Sequence, residues 1–344
     1  MSNLRVTFKP KQLTKSLLAS VPGRAQDIVE KRFGLRPEYE RMTLEAIGRT
    51  YGITRERVRQ IENCALAAIR KSASYEAVRG AHDELSNMIR EHGSLVHEAA
   101  FLEHISSDEH IQNHINFYLV LGEGFVRLKE DDRFHHRWTI DEEHAEAIEL
   151  SLAGLEQGIS HDDVLSQDEI LARFRSLLTK ELGIRIDDEQ MLRWLAFSKK
   201  VSQNPLGGWG RAASPNIRIR GMRDMAYLVI REHGSPMHFR EVAGAIRSSF
   251  GRGAHEATCH NELIKDKRFV LVGRGLYALS SWGYSRGTVR DVVVSLLTDG
   301  GPLSKEEIIA RVLKERYVKE NTIIVNLQNG EVFKKGQDGR YYLV

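Results

Sequence analysis

The clearest alternation of apolar and polar positions lies in residues 43–71, where it predicts two helices around a tight turn. Leu44 and Ile47 are three residues apart, as expected on one face of a first helix. Tyr51 and Gly52 interrupt the pattern, and glycine is the residue that tight turns favour. A second and longer apolar stripe follows at helical spacing and comprises Val58, Ile61, Ala65 and Ile69.

The polar residues of the second predicted helix are of the types that contact base edges in DNA. Thr54 stands at the expected N-cap, and Glu56 lies in the first turn, where its charge suits the helix dipole. Arginine pairs with guanine, glutamate with cytosine, and glutamine or asparagine with adenine. The pattern therefore predicts a helix-turn-helix whose outer face enters the major groove, and an ordinary helix pair with a solvated face is the alternative. That outer face carries Arg55, Glu56, Arg59, Gln60 and Asn63.

The stretch TLEAIGRTYGITRERVRQIENCALAAIR resembles the helix-turn-helix of region 4 of the primary bacterial sigma factors. The upstream LLASVPGRAQDIVEKRFGL resembles the helix that precedes it, so the resemblance runs from about Leu17 to Lys71. In that family the second helix contacts the promoter −35 element, and region 4 also docks on the polymerase flap. Carried over by position, the resemblance implies base contacts by Arg55, Glu56, Arg59 and Gln60. It implies phosphate, cap or secondary contacts by Thr54, Arg57 and Asn63.

A repeated motif organises much of the remaining chain. IREHGSLVH at 89–97 returns as IREHGSPMH at 230–238, and in both places one helical pattern precedes the motif and another follows it. Extending the two copies predicts a helix, a turn, two further helices and two strands, and a third copy closes the chain. Because β-branched and aromatic residues flank glycine-containing turns, the strands are expected to form hairpins. Three helices and a hairpin make a winged helix.

The copies at about 218–283 and 284–344 resemble the HARE-HTH domain, a winged-helix family also found in the delta subunit of bacterial RNA polymerase. The resemblance rests on the helix spacing and on HNELIKDKRFVLVGRGLYAL. The expected fold is mainly α with small β wings, a sigma region 4-like helix-turn-helix followed by tandem winged-helix (HARE-HTH-like) modules. The predicted divisions are a basic arm (1–16), the sigma-like module (17–75), a winged-helix-like copy (79–140), an acidic helical or degenerate winged-helix segment (141–217), and the two C-terminal copies (218–283 and 284–344).

The two C-terminal copies offer further candidate DNA contacts. In the first they are His260, Asn261 and Lys265 on the third helix and Lys267, Arg268 and Arg274 around the hairpin; in the second they are Lys334 and Lys335. These side chains could contact the groove and the phosphates. The alternative is that His260 and Asn261 cap or pack while the charged groups form a solvated rim, and the sequence does not decide between the two.

Charge is segregated along the chain, although the net charge is only +3. Residues 1–78 carry 15 Lys and Arg against 8 Asp and Glu, and residues 218–283 carry 11 against 6. Acidic residues prevail between them, with 11 against 6 in 79–139 and 14 against 7 in 141–200. The basic ends suit phosphate contacts. The acidic centre suits a protein partner or a basic neighbour in the same chain, which it could mask.

Metal and enzyme chemistry find no support in the sequence. His92 and His97, like His233 and His238, flank a Gly-Ser turn and lack the i, i+4 spacing of a helical metal pair. We therefore expect turn-stabilising histidines and no metal site. No catalytic motif is apparent, and we expect no cofactor, no small-molecule substrate and no enzymatic activity.

Cysteine content and hydropathy point to a reducing compartment. Cys64 and Cys259 lie far apart in different predicted modules, and both are interpreted as small packing residues in helices. No apolar run is long enough to span a bilayer or to form a signal peptide, so no membrane partner is expected. The expected location is the cytoplasm, in association with the nucleoid.

Together these patterns predict a bacterial transcription regulator that contacts promoter-like double-stranded DNA. In the sigma family a long aromatic-rich region that captures and melts the −10 element lies upstream of region 4. Only a short arm precedes the match here, so a regulator is expected in place of a stand-alone sigma factor. The alternative is a delta-like or sigma-like accessory factor that binds RNA polymerase and uses its helix-turn-helix modules mainly for protein interaction.

Overall fold

The computed structural model describes residues 6–183, 186–284 and 287–344 of the chain. The chain forms two compact units, of which the first comprises Met1–Ser160 and Leu165–Ser202 and the second comprises His161–Val164 and Gln203–Val344. Both units are mainly helical with small antiparallel strand pairs. The expected fold class, mainly α with small β wings, is therefore confirmed.

The first unit begins with four helices, the last two of which form the predicted helix-turn-helix. A 3-10 helix, Ala73–Val78, follows them directly. The four helices are α1 (Pro10–Leu18), α2 (Gly23–Phe33), α3 (Leu44–Tyr51) and α4 (Arg55–Lys71).

The next segment of the first unit has three helices and a three-stranded sheet. The elements are α5 (Arg79–Glu91), β1 (Leu95–His97), α6 (Glu98–Ile105), α7 (Glu109–Leu121), β2 (Val126–Leu128) and β3 (Arg137–Thr139). Strand β3 is central and antiparallel to both neighbours, so that Trp138 lies opposite Val96 on one side and Arg127 on the other. The predicted order of three helices and a hairpin is present.

The predicted basic arm at 1–16 contains most of a helix that packs on the rest of the unit. Helix α1 begins at Pro10, and it buries Leu17 and Leu18. Thr14 Oγ1 lies 2.6 Å from the Tyr118 hydroxyl and 2.8 Å from His114 Nδ1 on α7. Helices α1, α2 and α4 thus share one hydrophobic core with α5–α7 and β3. Residues 1–5 of the predicted arm lie outside the described residues.

The acidic segment supplies the remaining helices of the first unit. They are α8 (Glu142–Gln157), α9 (Gln167–Leu182) and α10 (Asp188–Leu195). Strands β4 (Val201–Gln203) and β5 (Trp209–Arg211) follow, and the division between the two units falls within β4. A reciprocal capping box of Ser166 and Glu169 begins α9, and the Asp187 side chain caps α10. The acidic residues at 187–189 therefore stand at the start of a helix, where their charge suits the helix dipole.

The second unit contains both C-terminal copies, each with its own core. The first has α11 (Met222–His233), β6 (Met237–His238), α12 (Phe239–Phe250), α13 (Glu256–Lys265), β7 (Phe269–Gly273) and β8 (Leu276–Leu279), then a 3-10 helix at Ser280–Trp282. The second has α14 (Val289–Gly300), α15 (Lys305–Glu315), α16 (Glu320–Leu327), β9 (Phe333–Lys335) and β10 (Tyr341–Leu343). Both follow the predicted order of three helices and a hairpin.

All four motif histidines lie at helix ends, and His97 is the residue directly before α6. His92 Nδ1 is 2.8 Å from the Met88 carbonyl at the end of α5, His233 Nδ1 is 3.0 Å from Ser235 Oγ, and His238 forms a capping box at the start of α12. Within the described ranges, no three His, Cys, Asp or Glu residues are grouped to hold a metal ion. None of the described helices combines the length and the apolar character needed to cross a membrane.

We expect the packing of α1 on α7 to be sensitive to acid. Burial lowers the pKa of His114 to about 4 from 6.5, with a smaller lowering by His110 and Lys11. The unfolded chain takes up this proton near pH 6.5 and the folded chain only near 4. The free energy of unfolding therefore falls as the pH drops from about 6.5 to 4, by up to roughly 1.4 kcal/mol per pH unit.

The variant His114→Gln keeps a polar partner for Thr14 and removes the titrating ring. We expect it to flatten the loss of stability between pH 6.5 and 4, as measured by urea unfolding at several pH values across that interval. A pH dependence as steep as in the unchanged protein would contradict this assignment.

Candidate nucleic-acid interface

The turn between α3 and α4 is fixed by two threonine caps and one glycine. Thr43 Oγ1 accepts a hydrogen bond from the Ala46 amide, and Thr54 Oγ1 accepts one from the Arg57 amide at 3.2 Å. Gly52 ends α3 with a φ of 64°, a conformation that favours glycine. The predicted cap at Thr54 and the predicted glycine turn are confirmed.

A small aliphatic core holds the two helices against α2. Ile28, Ile47 and Val58 have no exposed surface, and they form a cluster of their own. Farther along α4, Ala65 and Ile69 join the large core that includes α7. The predicted apolar stripe of α4 is thus buried along its length, with Ile61 only partly so.

The opposite face of α4 is exposed at each of the five positions predicted to face DNA: Arg55, Glu56, Arg59, Gln60 and Asn63. Glu56 accepts two hydrogen bonds from the Arg59 guanidinium, at 2.7 and 2.9 Å. The same contact lowers the pKa of Glu56. Arg57 Nη1 donates to Gln60 Oε1 at 3.1 Å. In the free protein these side chains therefore pair with one another along the helix surface.

An open groove of about 600 Å³ lies where α3 meets the start of α4. Its lining includes Arg49, Arg55 and Arg57, together with Gly52 and the Thr54 cap. The lining also includes Glu45, whose carboxylate pairs with Arg49. Arg55, Arg57 and the N-terminal end of α4 are therefore the groups that suit phosphate oxygens.

Cys64 is a correction to the sequence interpretation, because it is exposed and does not pack in a core. It lies four residues after Gln60 and therefore on the same face of α4. The helical spacing used to assign the buried stripe could have found this. Cys259, by contrast, is buried in α13 as expected, and burial raises the pKa of its thiol to about 11.

Two of the candidate DNA contacts in the copy at 218–283 have structural roles. The His260 ring stacks on Phe239, with centroids 4.4 Å apart, and meets Tyr277 edge-on. Arg268 donates to Asp224 at 2.8 Å and to Asp266 at 2.7 Å. His260 therefore packs within the fold, and Arg268 forms ion pairs within the fold instead of joining a solvated rim.

The other C-terminal candidates lie on the surface. Asn261, Lys265, Lys267 and Arg274 are exposed around α13 and the β7–β8 turn, and Lys334 and Lys335 are exposed on β9. The third helices of these copies also expose large aliphatic side chains. Ile264 on α13 is 62% exposed, and Val325 on α16 is 63% exposed. Sequence reasoning did not single out these two residues, although each falls off the apolar stripe of its helix.

Comparison with known proteins identifies one segment of the chain. Residues 17–71 match the family model for Sigma-70, region 4. A 63-residue segment is 48% identical to the RNA polymerase sigma factor RpoS of Coxiella burnetii, and it covers 18% of each chain. A 60-residue segment is 42% identical to the RNA polymerase sigma factors SigA of Listeria monocytogenes and Listeria innocua, and it covers 17% of this chain and 16% of theirs.

The N-terminal helix-turn-helix is therefore a Sigma-70 region 4 domain, a DNA-binding and non-enzymatic module, and the sigma-like resemblance of the sequence is confirmed there. The chain spans less than a fifth of the length of these relatives. The HARE-HTH resemblance of the C-terminal copies remains a prediction.

At Gly48, helix α3 lies very close to the turn that follows it. A Cβ atom at this buried position would lie 2.6 Å from the Ile53 carbonyl oxygen. Because that oxygen belongs to the backbone, it cannot move aside without distorting the turn. We expect Gly48→Ala to lower the free energy of unfolding of the first unit by about 1–3 kcal/mol, as measured by urea denaturation.

The matched control is Gly80→Ala, because a Cβ at Gly80 on α5 would meet nothing within 4 Å. Alanine is the better helix former, so the control should be neutral or slightly stabilising. Equal effects of the two substitutions would refute a special role for Gly48.

Proposed function

We propose that this protein is a bacterial DNA-binding transcription regulator whose helix α4 contacts promoter-like double-stranded DNA. One observation carries the proposal. A segment that matches Sigma-70 region 4 buries one face of α4 and leaves Arg55, Glu56, Arg59 and Gln60 exposed on the other. That division is what a helix needs in order to lie in the major groove while its back stays on the protein.

Each of these side chains has a chemical counterpart on a base edge. Arg55 and Arg59 suit guanine, Glu56 suits the amino group of cytosine, and Gln60 suits adenine. The Glu56–Arg59 pair is exposed, and exposed ion pairs contribute little stability. Bases can therefore replace it at small cost, which makes the free protein ready to bind without refolding.

The start of α4 would fix the position of the helix on the duplex. Arg57 and Thr54 line the groove between α3 and α4, and Asn63 lies one further turn along the exposed face. Phosphate contacts of this kind set the register and the overall affinity, whereas the base contacts set the sequence preference. The protein would accordingly be found in the cytoplasm on the nucleoid.

We further propose that the segments at 79–140, 218–283 and 284–344 are winged-helix modules, the last two HARE-HTH-like, and that 141–217 is a degenerate copy. Their order of three helices and a hairpin supports this assignment. Exposed basic and amide groups on the last two would add phosphate contacts: Asn261, Lys265, Lys267, Arg274, Lys334 and Lys335. Several linked modules raise overall affinity even when each binds weakly.

A second candidate function is that of an accessory factor that binds RNA polymerase. It is favoured by Ile264 and Val325, because each third helix exposes a large aliphatic group that a protein partner would bury and a phosphate backbone would not. The named relatives of the N-terminal segment are themselves RNA polymerase sigma factors. In this case the C-terminal copies would contact the polymerase.

Selection of DNA from a random library tests base contact directly. The full-length protein should enrich a defined motif. A variant with Arg55, Glu56, Arg59 and Gln60 changed to Ala should lose the motif and keep a salt-sensitive background. The matched control replaces Glu76 and Arg79 by Ala, since these form an exposed i, i+3 pair of the same chemistry outside the domain. It should enrich the same motif as the unchanged protein.

If neither the protein nor the control enriches a motif, base contact by α4 is rejected. Capture of purified RNA polymerase by the full-length protein would then test the second candidate. Loss of capture on replacing Ile264 and Val325 by Ser would support it, and unchanged capture would count against those two side chains.

Phosphate contact by Arg57 has a different signature from base contact. We expect Arg57→Gln to weaken binding about equally for all sequences and to reduce the slope of log affinity against log salt by about one. Titration of a fluorescent duplex at several salt concentrations measures both quantities. Arg90→Gln, which removes an exposed arginine from α5, should leave them unchanged. A change of sequence preference in Arg57→Gln would instead assign this residue to base contact.

A further inference from the structure

A second cavity of the first unit lies away from the exposed face of α4. It has a volume of about 300 Å³, at the lower end of the range of small-molecule sites. Its walls come from α2, α4, α7 and the β2–β3 hairpin, with one residue from the loop after α2. The lining residues are Arg32, Phe33, Arg41, Glu62, Asn116, Leu119, Val120, Phe125, Arg127 and Trp138.

Positive charge prevails in this cavity, where three arginines line the wall with Glu62, and Glu98 lies beside Arg127 and Arg41. Arg32 Nε is 3.6 Å from the Glu62 carboxylate, and burial raises the pKa of Glu62. Arg127 uses Nε and Nη2 to bind Glu98, which leaves its Nη1 available. Among the described residues, Arg41 has neither a hydrogen bond nor an ion pair. The guanidinium groups therefore retain donors for an anion.

Two buried polar side chains of the lining also have unused hydrogen-bonding atoms. Asn116 is 2% exposed and Trp138 is 1% exposed. Within the described part of the chain, Asn116 Oδ1 and Trp138 Nε1 have no hydrogen-bond partner, and the same is true of Arg32 Nε. Buried polar atoms are nearly always paired in folded proteins. Arg32 Nε lies toward the Glu62 carboxylate, so the acceptor Asn116 Oδ1 and the donor Trp138 Nε1 are the two buried atoms of the lining residues that a ligand could satisfy.

The remaining wall is apolar and partly aromatic. Phe125 brings a partly exposed ring to the cavity, whereas Trp138 is buried and the Arg127 guanidinium lies over its ring, 5.9 Å from the centroid. Leu119 and Phe33 close the inner side. Arginine forks match phosphate oxygens, and aromatic faces suit a planar ring. We propose that this cavity binds a nucleoside monophosphate, with the phosphate held by Arg32, Arg41 and Arg127 and the base placed against the aromatic wall.

This site is independent of DNA contact by α4 and would stand if that contact were absent. An exposed basic cavity could alternatively hold a phosphate of DNA, so the experiment must separate the two sources. Calorimetry with the full-length protein would use the four ribonucleoside 5′-monophosphates, inorganic phosphate and adenosine as probes. We expect at least one monophosphate to bind, and both inorganic phosphate and adenosine to bind at least about tenfold more weakly.

Two substitutions test the assignment of the cavity. Arg41→Gln removes a guanidinium that makes no ion pair in the described chain, and Asn116→Leu replaces an amide whose oxygen is unpartnered with an apolar group of similar size. Each should weaken the bound monophosphate about tenfold with an unchanged circular dichroism spectrum. Arg79→Gln, an exposed arginine outside the cavity, is the matched control and should bind as the unchanged protein does.

Three results would overturn the proposal. The first is the absence of binding heat for every monophosphate up to about 10 mM, a concentration far above that of a useful site. The second is unchanged affinity in both cavity variants. The third is displacement of the monophosphate by duplex DNA together with an equal loss of DNA affinity in Arg41→Gln, which would make the cavity a seat for a DNA phosphate.

Discussion

The side chain of Arg70 connects helix α4 to a core that the helix-turn-helix does not possess by itself. Its guanidinium donates to the carbonyl oxygens of Leu121 and Val120 at 2.9 Å, and the nearby Tyr75 hydroxyl donates to Leu121 at 3.0 Å. The last carbonyls of a helix have no partner within the helix. The end of α4 therefore satisfies the end of α7, and the positive charge of Arg70 is well placed at the C-terminal pole of that helix.

The dependence on this contact follows from the small size of the helix-turn-helix core. Only three aliphatic side chains are fully buried between α2, α3 and the start of α4. In a small core the hydrophobic stabilisation only slightly exceeds the conformational entropy lost on folding, so the free energy of unfolding is small. The buried face of α4 gains further stabilisation toward its C-terminal end, where Ala65 and Ile69 pack in the core that includes Phe117 and Trp138. The position of the exposed face is thus determined by packing some distance away from it.

Local features of the chain were predictable from sequence because they depend on neighbouring residues. The Thr54 cap, the Gly52 turn and the buried stripe of α4 each follow from spacing within one or two turns of helix. Long-range pairing was not predictable. Thr14 meets Tyr118 across 104 positions, and a nine-residue basic helix gives no sign of that partner.

The candidate sites show the same limit. A lysine or arginine in a hairpin can either face solvent or form an ion pair with an acidic residue. Only the fold shows that Arg268 pairs with Asp224 and Asp266. His135 and His136 are half-buried beside Glu130, a neighbour that lies five and six residues earlier in the chain. The residues that line the arginine-rich cavity come from segments far apart in the sequence, so no short sequence motif predicts it.

The shared core also bears on how such a chain could have been assembled. A helix-turn-helix that folds alone can be exchanged between proteins by joining its ends to new neighbours. Here Leu17, Phe33 and Ile69 pack against the segment that follows residue 71. Cutting the chain at that residue would therefore expose apolar side chains of three helices to water. The two segments are therefore expected to be inherited together. Because Arg137 on β3 also pairs with Glu149 on α8, grafting experiments should take the whole first unit as the smallest unit of exchange.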